Sequence, residues 1–170
     1  MSYGLAVAKR ERGVYSNPFK FDQRHTLNIV LDYRIASWFQ AGVRFHYGSG
    51  FPYTEPTGIK PRIVTVQQNG QEVHRIQTTP DEQVIFDIDR GGEGNRYQAW
   101  LPPYHRLDVR LTAYADYWGL DWSFYLDVIN VYNRDNILTY RFFITDDLRL
   151  GRNATSMLPL LPTLGVAVRF

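Results

Sequence analysis

The 170 residues carry 19 Lys and Arg against 17 Asp and Glu, a net charge of +2 too small to point to nucleic acid, and the absence of cysteine excludes disulfides and thiolate metal sites. A hydrophobic fraction of 44% and a mean hydropathy of -0.35 would suit an ordinary soluble domain, and no run of about eighteen apolar residues marks a membrane helix. Those figures do not exclude membrane strands, which are only half apolar and give no hydropathy peak.

Residues 2–9 alternate as a strand, with Tyr3, Leu5 and Val7 on one side and the small residues Ser2, Gly4, Ala6 and Ala8 on the other. A polar and aromatic connection over residues 10–23 follows, with Asn17-Pro18 as its turn signal. Residues 24–34 alternate most cleanly: His25, Leu27, Ile29, Leu31 and Tyr33 share one face, and Arg24, Thr26, Asn28, Asp32 and Arg34 the other, where Val30 is the one apolar residue. Residues 35–37 leave room only for a tight turn. The strand over 38–47 then puts Phe39, Ala41, Val43, Phe45 and Tyr47 outward and Gln40, Gly42, Arg44 and His46 inward.

A long excursion occupies residues 48–103. Within it Asn69-Gly70, between two alternating segments, is the strongest short-range hairpin signal, so a polar β-hairpin is predicted over 62–76, to which 82–89 can add a third strand. Asp87-x-Asp89-x-Gly91 begins like a calcium loop, but the later ligand positions are wrong and no metal is expected there. The histidines at 25, 46, 74 and 105 lack ligand spacing, and no local Ser, His and Asp set points to an enzyme.

Residues 104–131 hold two long strands and a turn at 117–119 whose alternation looks inside out. Leu107, Val109, Leu111, Ala113 and Ala115 oppose Arg106, Asp108, Arg110, Thr112 and Tyr114; Leu120, Trp122, Phe124, Leu126 and Val128 oppose Asp121, Ser123, Tyr125 and Asp127. Each apolar face runs for about nine or ten residues, the length of a tilted membrane strand, against about five or six for an average soluble strand. Short connections (35–37, 117–119) alternate strictly with long ones (10–23, 48–103, 132–160), which predicts short periplasmic turns and long extracellular loops. Trp38, Trp118 and Trp122 all fall at the short turns, as an interfacial aromatic girdle requires. All but three of the basic residues are Arg, suited to desolvated ion pairs on a lumen wall. The candidate lumen residues are Arg24, Asp32, Arg34, Arg44, His46, Arg106, Asp108, Arg110, Asp127 and Arg169, expected chiefly to satisfy one another. The expected fold is all-β, an antiparallel transmembrane barrel segment of about six membrane strands.

The segments FDQRHTLNIVLDYRI, FHYGSGFPYT, LPPYHRLDVRL, YLDVINVYNRDNI and LPLLPTLGVAVRF, in this order and spacing, resemble the last six strands of a TonB-dependent outer-membrane receptor. The resemblance covers nearly all of residues 1–170, leaving the loop hairpin unmatched. It implies a bacterial outer-membrane location and a share in uptake of iron chelates, vitamins or glycans, without a cofactor. It implies as partners the lipid bilayer, the barrel-assembly machinery, and either further N-terminal strands with a plug or another copy of the chain, with TonB reached only through that further part. Gly165, Val166, Val168 and Phe170, following Thr163 and Leu164, resemble the terminal signal by which the assembly machinery recognises barrels. No secretory leader is read after Met1, so the chain is expected to be the C-terminal part of something longer. The alternative is a structural or porin-like outer-membrane protein that closes by oligomerisation.

Overall fold

The computed structural model describes all of residues 1–170. The fold is all-β and antiparallel, with one short 3-10 turn at Glu93–Asn95, and no helix in it is long and apolar enough to cross a membrane. Its frame is a six-stranded sheet of β1 (Ser2–Leu5), β2 (His25–Ala36), β3 (Phe39–Gly48), β4 (Tyr104–Tyr117), β5 (Leu120–Ile129) and β6 (Leu161–Arg169), each hydrogen-bonded to its neighbours in chain order. The sheet is open: β1 and β6 each pair along one side only, and no closed barrel forms.

Register preserves the alternation across all five interfaces, with one bulge, after Arg34. Val109 lies opposite Val43 and Val128, and Leu111 opposite Ala41 and Leu126; between these rows Arg110 lies opposite Gly42 and Asp127. A slip of one residue would exchange the faces, so the strands agree on one apolar and one polar side. On the apolar side nothing covers Leu31, Tyr33, Val43, Phe124, Leu164 or Val166, and Leu164 is 83% exposed. Leu101 is the one buried large apolar side chain, while the two most completely buried side chains are Asn130 and Asp22. A water-soluble domain distributes its residues the other way round.

The short connections are two-residue turns, though not quite where the pattern puts them. Trp118 and Gly119 both have positive φ, 55° and 70°, the type I′ geometry that suits strand twist. β2 continues through Ala36 with a bulge after Arg34, which moves the first turn to Ser37 and Trp38; Arg34 Nη2 donates to Ser37 O at 2.9 Å and braces it. The first strand is shorter than residues 2–9. It ends at Leu5 because the chain leaves at Lys9–Arg12 to form a separate hairpin with Tyr15–Pro18.

All long connections emerge at the other end of the sheet and carry small sheets of their own. Pro52–Tyr53 pairs with Ala99–Trp100, Gly58–Pro61 with Phe86–Asp89, and Ile63–Gln68 with Gln71–Ile76 around the expected Asn69-Gly70 turn. The expected third strand is therefore corrected: Phe86–Asp89 lies beside the segment preceding the hairpin, not on the hairpin's edge. After the turn at Thr79–Glu82 the returning chain meets that preceding segment first, and the ion pairs Arg62–Asp87 and Lys60–Asp89 hold it there. Residues 132–160 are likewise more than a loop, since Ile137–Ile144 and Leu150–Ser156 form a hairpin without hydrogen bonds to the main sheet.

The hydrogen bond from Arg62 holds the Asp87 carboxyl below the ordinary 3.8, and that from Lys60 does the same for Asp89. Their contribution is complete above the ordinary value and lost as pH falls through the lower folded ones. An NMR titration of the two carboxyl carbons should therefore give midpoints below 3.8, with protection of the Ile88 amide declining over the same acid range. Midpoints at or above 3.8 would mean that the pairs do not persist in solution.

Candidate functional site

The polar face of the sheet is a ladder of charges, and the structure divides the ten candidate residues into groups. Asp32, Arg44, Arg106, Asp108, Arg110 and Asp127 line one open cavity of about 410 Å³ at the middle of the sheet. Arg110 grips Asp127 with both arms of its fork, Nε to Oδ1 at 3.0 Å and Nη2 to Oδ2 at 3.0 Å, while its guanidinium carbon lies 4.8 Å from the Tyr125 ring centre. Arg106 Nε sits 2.8 Å from Asp108 Oδ1, and the same oxygen accepts from Asn130 N at 3.0 Å. Asp32 and Arg44 have no ion-pair partner within 4 Å.

The other four lie away from that cavity. Arg24, near the loops, pairs with Asp22 at 3.5 Å and covers the Trp100 ring at 4.5 Å; His46 bonds Asn28 and meets Tyr104 edge-on. Arg34, near the turns, covers Tyr114 at 5.1 Å, and Arg169 pairs with Asp121 at 3.2 Å. The four share a face, as their spacing requires; Arg34 and Arg169 also line one cavity at the turn end, which Arg24 and His46 do not reach. Asp87 and Asp89, which open the calcium-like stretch, are occupied by Arg62 and Lys60.

Two glycines shape this face. A Cβ on Gly42 would stand 2.5 Å from Asp32 Oδ1, so the glycine leaves a notch through which the Asp32 carboxylate leans across β3. A Cβ on Gly165 would stand 2.1 Å from Tyr125 Cζ, because the Tyr125 ring lies flat over the bare backbone of β6. Gly165, Tyr125, Arg110 and Asp127 thus form one stacked series across three strands. Gly165→Ala should destabilise the sheet by about 1 kcal/mol, by driving the ring from its place under Arg110, and the same change should be nearly neutral beside Tyr125→Ala. Equal effects in the two backgrounds, measured by urea titration in detergent, would mean that the ring does not rest on the glycine.

The remaining terminal residues follow the alternation. Leu164, Val166 and Val168 lie opposite Leu126, Phe124 and Trp122 on the apolar side, and Phe170 stands fully exposed one residue beyond β6. Trp122 stacks on Phe124 with centroids 6.1 Å apart and planes 9° apart, and Trp118, at the turn tip, packs edge-on against Tyr117. Trp38 lies against Phe39 at 5.4 Å. A second aromatic band, which spacing alone does not reveal, lies at the loop end: Tyr3 bonds His25 at 2.8 Å and Tyr132 bonds His105 at 2.7 Å.

No protein-family model, curated protein or solved structure matches this chain.

The most deeply buried polar group is an asparagine knot just after β5, which period-two alternation does not reveal. Asn130 has φ of 56° and no exposed surface; its Oδ1 accepts from Arg134 N at 3.1 Å, while its Nδ2 donates to the carbonyls of Arg134 at 3.0 Å and Leu158 at 3.2 Å. Asn136 copies a backbone partner for His105, accepting from its N–H at 3.1 Å and donating to its C=O at 3.0 Å. Asn133 Oδ1 accepts from Leu160 N at 2.8 Å. Three asparagines in seven residues therefore tie the two ends of the 130–160 loop to each other and to β4. All three lie within the segment YLDVINVYNRDNI, whose polarity also fits a solvated loop.

Proposed function

We propose that this chain is the C-terminal wall of a TonB-dependent receptor barrel in a bacterial outer membrane. Its apolar face meets lipid, its charged face lines the lumen, its two-residue turns lie in the periplasm, and its loops stand outside. The observation that carries this proposal is the uncovered apolar face of a sheet whose most buried side chains are polar. In water that face would lose the roughly 25 cal/mol per Å² that apolar burial contributes, whereas in hydrocarbon it is at home. Strands of 10 to 14 residues at the centre of the sheet are also of spanning length. In that setting the paired Arg and Asp residues neutralise one another along the lumen, and Asp32 and Arg44 are the charges left to meet whatever passes. The plug, the TonB box and the other wall strands come from outside these residues.

The open edges make this proposal testable. In hydrocarbon each unsatisfied backbone group costs several kcal/mol, so β1 and β6 must each find a partner strand. Six strands are also fewer than the eight whose barrel is already filled by side chains. Purified alone and placed in planar bilayers, the chain should give no stable, discrete conductance as a monomer. A monomer by mass in detergent that conducts in steady steps would overturn the proposal. A conducting oligomer would favour the porin-like alternative, in which copies of the chain supply one another's edges.

A further inference from the structure

The loops border a further, open cleft of about 740 Å³, within the size range of small-ligand sites. One wall is the Pro52–Tyr53 strand with the turn at Glu93–Asn95, and the other is the Ile137–Ile144 strand of the outer hairpin. Tyr53, Tyr140 and Phe142 bring three rings together there: Tyr53 lies 5.3 Å from Tyr140 edge-on and 6.2 Å from Phe142 with planes 21° apart. All three are half-buried, so the cluster still offers ring surface to the cavity. Burial pushes the Tyr53 phenol above its ordinary 10.0, and Glu55 adds to this, so it stays a neutral donor at physiological pH.

The charges around the cavity are unevenly satisfied. Arg96 holds Glu93 at 3.3 Å, Arg152 holds Glu55 at 3.4 Å while covering Tyr140, and Lys60 and Arg62 hold Asp89 and Asp87. Arg90, on the cavity wall, has no carboxylate within 4 Å. A free guanidinium fork is matched by a carboxylate, and stacked or edge-on tyrosine and phenylalanine rings are matched by another planar ring.

We propose that this cleft binds a planar aromatic carboxylate, its ring against Tyr53, Tyr140 and Phe142 and its carboxylate on Arg90. A neutral sugar offers Arg90 hydroxyl acceptors but no charge, and an aliphatic acid leaves the rings unmatched. Binding here goes beyond the barrel proposal and does not depend on it, because it is measured on the full chain folded in detergent, whether or not that chain inserts into bilayers.

The test is saturation-transfer NMR and calorimetry with 4-hydroxybenzoate as the probe, and benzyl alcohol and cyclohexanecarboxylate as the two controls. The probe's ring protons should receive saturation, and each control should bind about tenfold more weakly. Arg90→Gln should weaken probe binding about tenfold. Gly92→Phe should abolish it: Gly92 lines the cavity, its backbone is extended at φ −82° and ψ −175°, and a Cβ there meets nothing within 4 Å, so the side chain enters open space without disturbing the fold. Circular dichroism matching the unsubstituted chain shows that both variants are folded. No transfer to the probe, equal binding of cyclohexanecarboxylate, or undiminished binding in Gly92→Phe would each overturn the proposal.

Discussion

Leu126→Arg and Val109→Arg should each destabilise the chain folded in lipid by roughly 2 to 4 kcal/mol, whereas Thr112→Arg should change its stability by less than about 1 kcal/mol. Leu126 sits between Leu111 and Leu164 on the apolar face, and Val109 between Val43 and Val128, both near mid-strand. If that face meets lipid as proposed, an arginine there must bring its charge into hydrocarbon or drag water after it. Thr112 lies one residue from Leu111 on the same strand, yet it faces Gln40 and Tyr125 on the polar side, where a guanidinium meets polar neighbours instead of the apolar face. Reversible urea titrations in lipid vesicles measure the three changes. Similar losses on the two faces would mean that both are packed against protein or both are wet, and the assignment of faces would fail.

The second large effect is expected far from the apolar face. Asn130→Ala should cost about 3 kcal/mol, because it removes a side chain with no exposed surface and leaves the Arg134 N–H and the carbonyls of Arg134 and Leu158 without their partner, each worth roughly 1 to 3 kcal/mol when unmatched. Alanine also tolerates the positive φ at this position less well than asparagine does. Asn130→Gly relieves the backbone but not the lost bonds, so it should recover only the smaller share. Asn133→Ala removes one hydrogen bond at an exposed site and should cost under about 1 kcal/mol. Urea titration gives the totals, and hydrogen exchange at the Arg134 amide shows whether the loop end opens first. Asn130→Ala within about 0.5 kcal/mol of the unsubstituted chain would mean that water replaces the knot at little cost.

The sheet was legible because period-two alternation is a direct image of strand geometry. Val109, Arg110, Leu111 and Thr112 can only alternate between two faces, and the same is true of Leu27 to Asp32, so strands and faces follow together. Asn69-Gly70 was legible because few residue pairs accept positive φ at both positions, and they have 53° and 78°. The hairpin of Ile137–Ile144 and Leu150–Ser156 was not. Its turn carries Asp146-Asp147 rather than Asn-Gly, and Phe142-Phe143 breaks the alternation just before that turn. Lys9–Arg12 is charged throughout and shows no period at all. Among the candidate residues, spacing assigned the face but could not tell which charges converge, because convergence depends on register between strands distant in sequence. Arg110 reaches Asp127 through one hairpin, whereas Asp32 leans toward β4 only because Gly42 leaves room. The asparagine knot was hidden for the same reason. Asn130 and Leu158 become neighbours only after β4, β5 and β6 are aligned.

The chain has no cysteine, so single cysteines can be placed one at a time along β4, from Leu107 to Ala115, and labelled with a nitroxide. After folding into bilayers, collision with oxygen, which concentrates in hydrocarbon, is compared with collision with a water-soluble nickel chelate. Labels at Val109, Leu111 and Ala113 should favour oxygen and those at Asp108, Arg110 and Thr112 the chelate, alternating with a period of two. A flat profile, or one in which positions 109, 111 and 113 collide with neither reagent, would contradict a sheet whose apolar face meets lipid.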